Sequence, residues 1–472
     1  NLRQHVADTH RREAVEAAAE GAWRVIGELA DDLPVQVIHG DITDDNVVCS
    51  GLDSGRIPDG IIDFGDLTRS WPVAELAVAV SSLLRHEGGE PAATPPAIAA
   101  FHAVRPLSSA EIEALWPLVV LRAAVLVVSG IHQATIDADN AYATEALDYE
   151  WRIFQRATEL PTEVMTGQIR HFLGVAHPPA APAATGAAVV DGLDSAHVER
   201  LDMSAESDTM DGGVWLDDDC EEQLARDAIA RGAAAVTTSF GHPRLTKSSA
   251  LSADSPATIA TGLDLWPATE VAITAPWAGV VEDCTPGSLT VTGTAGTVEV
   301  RGRLSVDDGV RAGAAVAAGD ALGTAGGRVW IQWRRRPDIG VPDYVRPEYA
   351  AGWLYLVADP SILLGVEPAP PAADDSEALW RRRADSFATV QEYYYDNPPR
   401  IERGWREHLL STDGRSYLDM VNNVALLGHG HPVLADAVAR QWRRLNTNSR
   451  FNYASVVALS ERLAATLPDP LD

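Results

Sequence analysis

Two short strings near the start of the chain carry the groups that transfer of a phosphoryl group to a hydroxyl requires. Val37-Ile38-His39-Gly40-Asp41-Ile42-Thr43-Asp44-Asp45-Asn46 is followed by Ile61-Ile62-Asp63-Phe64-Gly65-Asp66. Such a transfer needs a carboxylate beside the acceptor and oxygen ligands for magnesium. Asp41 and Asn46, five residues apart on a loop, and Asp63 after a short strand supply them. An Asp-rich turn between strands is the bland alternative. Two motifs in this order and separation make it the weaker one.

The strings resemble the catalytic loop and metal-binding motif of the aminoglycoside phosphotransferase/choline kinase family. That resemblance implies that Asp41 is the catalytic base, that Asn46 and Asp63 hold magnesium, that His39 orders the loop, and that ATP is the donor. The family's smaller nucleotide-binding lobe, with its phosphate loop and lysine, should precede this segment, and nothing in the chain matches it. The resemblance therefore covers the larger lobe alone, residues 1–175.

Lysine usage constrains any further chemistry. Lys247 is the only lysine among 37 basic residues. Arginine keeps its charge and forms no Schiff base, so any imine chemistry must use Lys247 or a residue outside the chain.

Residues 241–367 change period. Val271–Thr274, Gly279–Glu282, Ser288–Thr292 and Thr297–Leu304 are short, β-branched and punctuated by Gly and Asp-Gly, the pattern of an all-β module. The module resembles the lysostaphin-type zinc endopeptidase fold. Ile259-Ala260-Thr261-Gly262-Leu263-Asp264-Leu265 stands where that family has His-x-x-x-Asp, and Val329-Trp330-Ile331-Gln332-Trp333 where it has His-x-His. Zinc needs three or four N, S or O ligands. Asp264 survives, while Ala260, Trp330 and Gln332 fill the other places, so no zinc and no peptidase activity are expected. A lipoyl- or biotinyl-carrier reading fails as well, because the β core has no lysine to modify. His242 reads as a structural histidine. The module is expected to serve as a scaffold or spacer.

From Asp396 onward the chain resembles the start of class III aminotransferase-fold pyridoxal-phosphate enzymes. The resemblance rests on Asp413-Gly414-Arg415-Ser416-Tyr417-Leu418-Asp419-Met420, Asn422-Asn423-Val424, Gly428-His429-Gly430-His431-Pro432, Leu445–Phe451 and Leu463–Pro468. The strings are most similar to the branch of ethanolamine-phosphate and phosphohydroxylysine phospho-lyases, which eliminate phosphate from an amino-alcohol phosphate. The resemblance implies a homodimer through this segment. His429 and His431 read as a helix-entry turn, with His431 near the N-cap, rather than as catalytic groups. Arg450 reads about equally as a substrate-phosphate contact or a surface salt bridge. The family's Schiff-base lysine lies beyond the matched segment.

The elements that must position these groups follow from length and pattern. The chain has 472 residues, against the ~100–200 of one domain, so several domains are expected. The expected class is multidomain α+β: a mainly helical kinase-like larger lobe, an all-β middle domain and the start of a fold-type I α/β domain. Its parts are the lobe at 1–175, an acidic linker region at 176–240, the β domain at 241–367, a second linker at 368–395 and the aminotransferase-like segment at 396–472. Ser108 with Glu111 predicts a capping box ahead of an apolar helix ending at Gly130, which Pro117 kinks or divides. Asp413-Gly414 predicts a hairpin. Helices are predicted to open at Pro432 and, with Ser455 as N-cap, shortly before the C-terminus.

A formal net charge of −30 repels phosphate backbones and anionic lipid, so no nucleic-acid or membrane partner is expected. The longest apolar run, Trp116–Val128, is short for a bilayer and broken by Arg122. Three widely spaced cysteines argue against a disulfide scaffold and for a reducing, cytoplasmic setting. The expected protein is a fragment of a multidomain enzyme, inactive by itself. In full length it would phosphorylate an amino alcohol or amino acid with ATP and magnesium, then eliminate the phosphate with pyridoxal phosphate. The alternatives are a plain class III transaminase with an accessory kinase domain, and a non-catalytic scaffold of decayed modules.

Overall fold

The computed structural model describes residue 6 and residues 8–50, 57–136, 141–175, 187–249, 255–371, 376–388, 390–391, 395, 398–421, 426–447 and 450–468. The Pro/Ala-rich stretch 177–185, Asp396, Asn422, Asn423, Val424, Asn448 and Ser449 lie outside the described residues.

A helical lobe comes first. Its helices are α1 (Thr9–Leu29), α2 (Pro72–Leu83), α3 (Pro95–Val104), α4 (Ser109–Ile136), α5 (Ala141–Ala157) and α6 (Thr162–Phe172). Between α1 and α2 lie β1 (Gln36–Ile38), β2 (Val47–Ser50), β3 (Ile57–Ile61) and β4 (Thr68–Ser70), paired antiparallel as β1 with β4 and β2 with β3. The capping box forms as the sequence predicts. The Ser108 N–H donates to the Glu111 carboxylate at 2.9 Å, and the Glu111 N–H donates to Ser108 Oγ at 3.2 Å. The rest of α4 departs from expectation: it is one helix that carries Pro117 inside and runs past Gly130 to Ile136. Gly130 is a packing glycine, not a stop. A Cβ there would lie 1.9 Å from Glu150 Oε2 on α5. Although α4 is long and apolar enough to cross a membrane, Leu115, Trp116, Val119 and Ala123 bury it in the centre of the lobe.

The middle module is built on an eleven-stranded sheet. Its long strand Ala321–Arg334 pairs antiparallel with Gly296–Val306 on one side and Leu263–Pro267 on the other. The expected boundary does not survive. Residues 187–240 contribute Val190–Asp191, Val198–Arg200 and Ala235–Thr237 to this sheet, the last pairing with Leu263–Pro267. Val198–Arg200 and Ala235–Thr237 run parallel, which requires a crossover, and helix Cys220–Ala230 lies within it. What reads as a solvated acidic connector is thus a folded βαβ unit, and the module is not all-β. The charge of the stretch misleads because Asp217, Asp218 and Asp219 are exposed while Leu201, Met203, Met210, Trp215 and Ala225 pack inward.

The module touches both neighbours. Tyr349, Trp353 and Leu356 join the lobe's own core. Gln168 on α6 donates from Nε2 to the Glu348 carbonyl at 2.9 Å and accepts from the Gly352 N–H at 3.1 Å. On the other side, the three-stranded sheet Ile401–Trp405, His408–Ser411 and Ser416–Leu418 packs Leu410 and Trp405 into the module's second cluster. Its Asp413-Gly414 turn forms as the sequence predicts, and Thr258 Oγ1 donates to the Asp413 carbonyl at 2.6 Å. The following helices are Pro432–Arg444 and Ala454–Ala464; the second is capped at Tyr453 rather than Ser455.

Candidate active site

The two N-terminal strings are brought together by one residue, Ile62. The Ile62 N–H donates to the Asn46 carbonyl at 3.1 Å, and the Ile62 carbonyl lies 2.9 Å from His39 Nε2. Asp63 follows directly. His39 is buried and packs edge-on against Phe64, so it orders the loop from beneath. Gly40 has φ +89°, and a Cβ there would sit 2.8 Å from the Asp66 carbonyl oxygen, so only glycine fits. Glu75 holds the loop from α2, accepting the N–H groups of Gly40 at 2.6 Å and Ile42 at 3.0 Å. Asn46 Nδ2 donates to the Asp41 carbonyl at 2.9 Å and to Asp41 Oδ2 at 3.2 Å, which leaves the amide oxygen available as a metal ligand. Asp63 is exposed and left-handed, with φ 60° and ψ 67°. Such strain in a non-glycine residue is typical of functional positions.

The other face of Asp41 belongs to α4. Arg122 donates to Asp41 Oδ1 at 2.5 Å. Beside this pair opens a pocket of about 180 Å³ between the loop, α2, α4 and α5. Arg85, also on its wall, pairs with Asp44 at 3.0 Å and Asp45 at 2.9 Å. Burial alone would raise the Asp44 carboxyl, but the Ser82 hydroxyl, Arg85 and His86 together hold it below the usual range.

Glu150 on α5 completes the wall. It is 8% exposed, and its Oε2 is buried with no hydrogen-bond partner. Burial pushes its carboxyl up to about 7, against the opposing pull of Arg122. A raised folded value means that the fold favours the protonated acid. Ionisation therefore costs stability increasingly between about pH 4.5 and 7, and fully above that. Glu150→Gln removes the penalty. We expect it to stabilise the protein by about 2–3 kcal/mol at pH 8 and to change little at pH 4.5, read as thermal unfolding midpoints at both values.

The segment around Asp264, which the sequence likens to a zinc site, is built for ion pairing. Trp330 lies opposite Asp264 in the register of the two strands. The Asp264 carboxylate is buried and accepts from Arg244 at 2.5 Å and from Arg328 at 2.7 Å. Arg244 also donates to Tyr344 Oη at 2.8 Å and Thr238 Oγ1 at 2.7 Å, and Gln332 Nε2 donates to Thr261 Oγ1 at 2.8 Å. Two guanidiniums occupy the Asp264 carboxylate, so the donor set does not fit zinc. Lys247 lies 3.3 Å from Glu221 and over the Tyr344 ring, and His242 Nε2 lies 2.8 Å from the Pro370 carbonyl. Among the described residues, no cluster of His, Cys, Asp and Glu could hold a metal ion.

In the C-terminal segment, His429 Nε2 lies 2.8 Å from Asp419 Oδ2, and its backbone pairs with Arg406. His431 Nδ1 accepts the Leu434 N–H at 3.4 Å as the N-cap of its helix. Arg450 lies in a turn between the two helices, on no element shared with His429.

Sequence reasoning missed Glu75, Arg122 and Glu150. Arg122 stands out as the one charge inside an apolar run. Glu150 leaves no such signal, because its burial depends on Gly130 of another helix.

Residues 1–106 match the phosphotransferase enzyme family. An alanine–glyoxylate aminotransferase 2-like protein of Drosophila melanogaster is 37% identical over 96 residues, covering 20% of this chain and 19% of that protein. Ethanolamine-phosphate phospho-lyase homolog 1 of Caenorhabditis elegans is 30% identical over 105 residues, covering 21% and 22%. The acetylornithine aminotransferase of Streptomyces coelicolor is 44% identical over 66 residues, covering 13% and 16%. The chain spans about a fifth of the length of the first two relatives. No solved structure matches it. The chain thus joins phosphotransferase-family sequence at residues 1–106 to sequence similar to aminotransferases and to a phospho-lyase homolog.

Proposed function

We propose that the protein phosphorylates the hydroxyl of an amino alcohol and then eliminates the phosphate, using ATP and magnesium for the first step and pyridoxal phosphate for the second. The observation that carries the kinase half is the backbone of Ile62, whose N–H donates to the Asn46 carbonyl and whose carbonyl meets His39 Nε2, next to Asp63. Asp41 accepts the acceptor's proton at its carboxylate, while Asn46 and Glu75 keep the loop in place. The Asn46 amide oxygen and the Asp63 carboxylate suit magnesium, which neutralises phosphate charge when bound. Because a hydroxyl leaves poorly and a phosphate well, phosphorylation before elimination is the productive order.

The similarity to a phospho-lyase homolog supports the second half, and we propose a homodimer formed through that segment. Lys247, ion-paired with Glu221 in the middle module, is not suited to hold pyridoxal phosphate, so no step on that cofactor is assigned to these residues. The similarity to acetylornithine aminotransferases favours a second reading, a transaminase with an accessory kinase. The test gives the full-length protein magnesium-ATP and ethanolamine or hydroxylysine and follows the mixture by phosphorus NMR. A phosphomonoester should form, and it should release inorganic phosphate only when pyridoxal phosphate is added. Amino transfer to a keto acid without that release selects the second reading.

A further inference from the structure

The pocket beside Asp41 contains an imbalance of charge. Two of its carboxylates have bonded cations: Asp41 has Arg122, and Asp45 has Arg85. Glu150, facing the same space, is more than nine-tenths buried with Oε2 bonded to nothing. Arg122 acts on Glu150 through its field, but its hydrogen bond goes to Asp41, and its own Nε is buried without a partner. An unpaired buried acid is costly, and proteins keep one where a ligand completes it. Gly130 supports this arrangement, since any side chain there would strike the Glu150 carboxylate. Leu126 and Ile153 line the space between, which suits a short carbon chain.

We propose that Glu150 recognises the ammonium group of the phosphoryl acceptor, a primary amino alcohol whose hydroxyl lies at Asp41. The inference rests on the kinase reading above and adds the group that selects the substrate. A primary ammonium donates N–H bonds to a carboxylate; a quaternary ammonium cannot, and a diol offers no charge. Among the described residues, the titratable and charged groups that share the pocket wall with Glu150 are Asp41, Asp45, Arg85, Arg122 and Tyr149. With both arginines bonded elsewhere, Glu150 is the acid left to pair with a ligand cation.

The test is calorimetric titration of the chain with ethanolamine, choline and ethylene glycol. At pH 8, ethanolamine should bind more than tenfold tighter than the other two, and Glu150→Gln should abolish that preference. Glu150→Asp, which keeps the charge, should retain part of it. Between pH 6 and 8 the affinity of the parent should rise as Glu150 ionises, while the glutamine variant should show no such rise, because the amine stays protonated throughout. In the full-length protein, Glu150→Gln should raise KM for the amino alcohol more than tenfold and leave KM for ATP unchanged. Equal ethanolamine binding by parent and Glu150→Gln overturns the inference, as does a parent that binds none of the amines. Neither result touches the kinase reading, which fails instead if the full-length protein forms no phosphomonoester or if Asp41→Asn transfers phosphate at the parent rate.

Discussion

Replacing Arg244 by alanine should destabilise the middle module by about 3–5 kcal/mol, the scale for breaking a buried ion pair from one side. Arg244 is 2% exposed, and its guanidinium serves Asp264, Tyr344 and Thr238 at once, with the Trp330 ring 5.5 Å away. Removing it leaves Asp264, 1% exposed, with Arg328 as its remaining partner. It also weakens the field that, with Thr246, Lys247 and Arg328, holds Glu221 below the usual carboxylate range despite burial. The loss should come from the stranded charge more than from lost packing. The double variant Arg244→Met with Asp264→Leu should therefore recover most of the stability, since apolar replacements of a buried pair are often neutral. Thermal unfolding followed by tryptophan fluorescence reads both, because the Trp330 ring lies 5.5 Å from the Arg244 guanidinium and the Trp266 ring 5.0 Å from that of Arg328. A double variant as unstable as the single one would refute the charge argument. The same pairing predicts that the purified protein holds no stoichiometric zinc, and one zinc per chain by elemental analysis would overturn it.

How far the sequence carried depends on whether a feature is local. The Ser108–Glu111 box, the Asp413-Gly414 hairpin and the opening of a helix at Pro432 each form as written, because residues within a few positions decide them. The Asp41–Asn46 and Asp63 strings lie side by side because the strands Val47–Ser50 and Ile57–Ile61 between them pair antiparallel, again a local matter. The errors share the opposite property. Gly130 reads as a stop, but its role is set by Glu150 across the helix pair. The acidic stretch reads as solvent-facing since charge was counted along it, whereas Trp215 and Met210 are buried against partners far away in sequence. Ala260, Trp330 and Gln332 lead to the expectation of no zinc, but they do not show that Arg244 and Arg328 pair with Asp264. Burial and long-range pairing are properties of the fold, and a linear pattern reports them only where one face repeats.

Asp41→Asn should lower phosphoryl transfer by the full-length protein about 10²–10⁴-fold, the usual scale for a lost general base. The variant keeps the size of the side chain, so Glu75 still holds the Gly40 and Ile42 N–H groups and the loop stays formed. What is lost is an atom able to take the acceptor's proton at the point where Asn46 and Arg122 converge. The fall should therefore appear in kcat, with KM for ATP little changed. Asp63→Asn makes the contrast. Asp63 lies exposed at a left-handed position, and in the proposed function it is a magnesium ligand, so its loss should raise the magnesium and ATP concentrations needed for half-maximal rate. Steady-state kinetics on both variants, with titrations of magnesium and of the amino alcohol, separate the roles. Transfer at the parent rate by Asp41→Asn would remove Asp41 as the base. Identical profiles for the two variants would mean that the loop, rather than either carboxylate, had been disturbed.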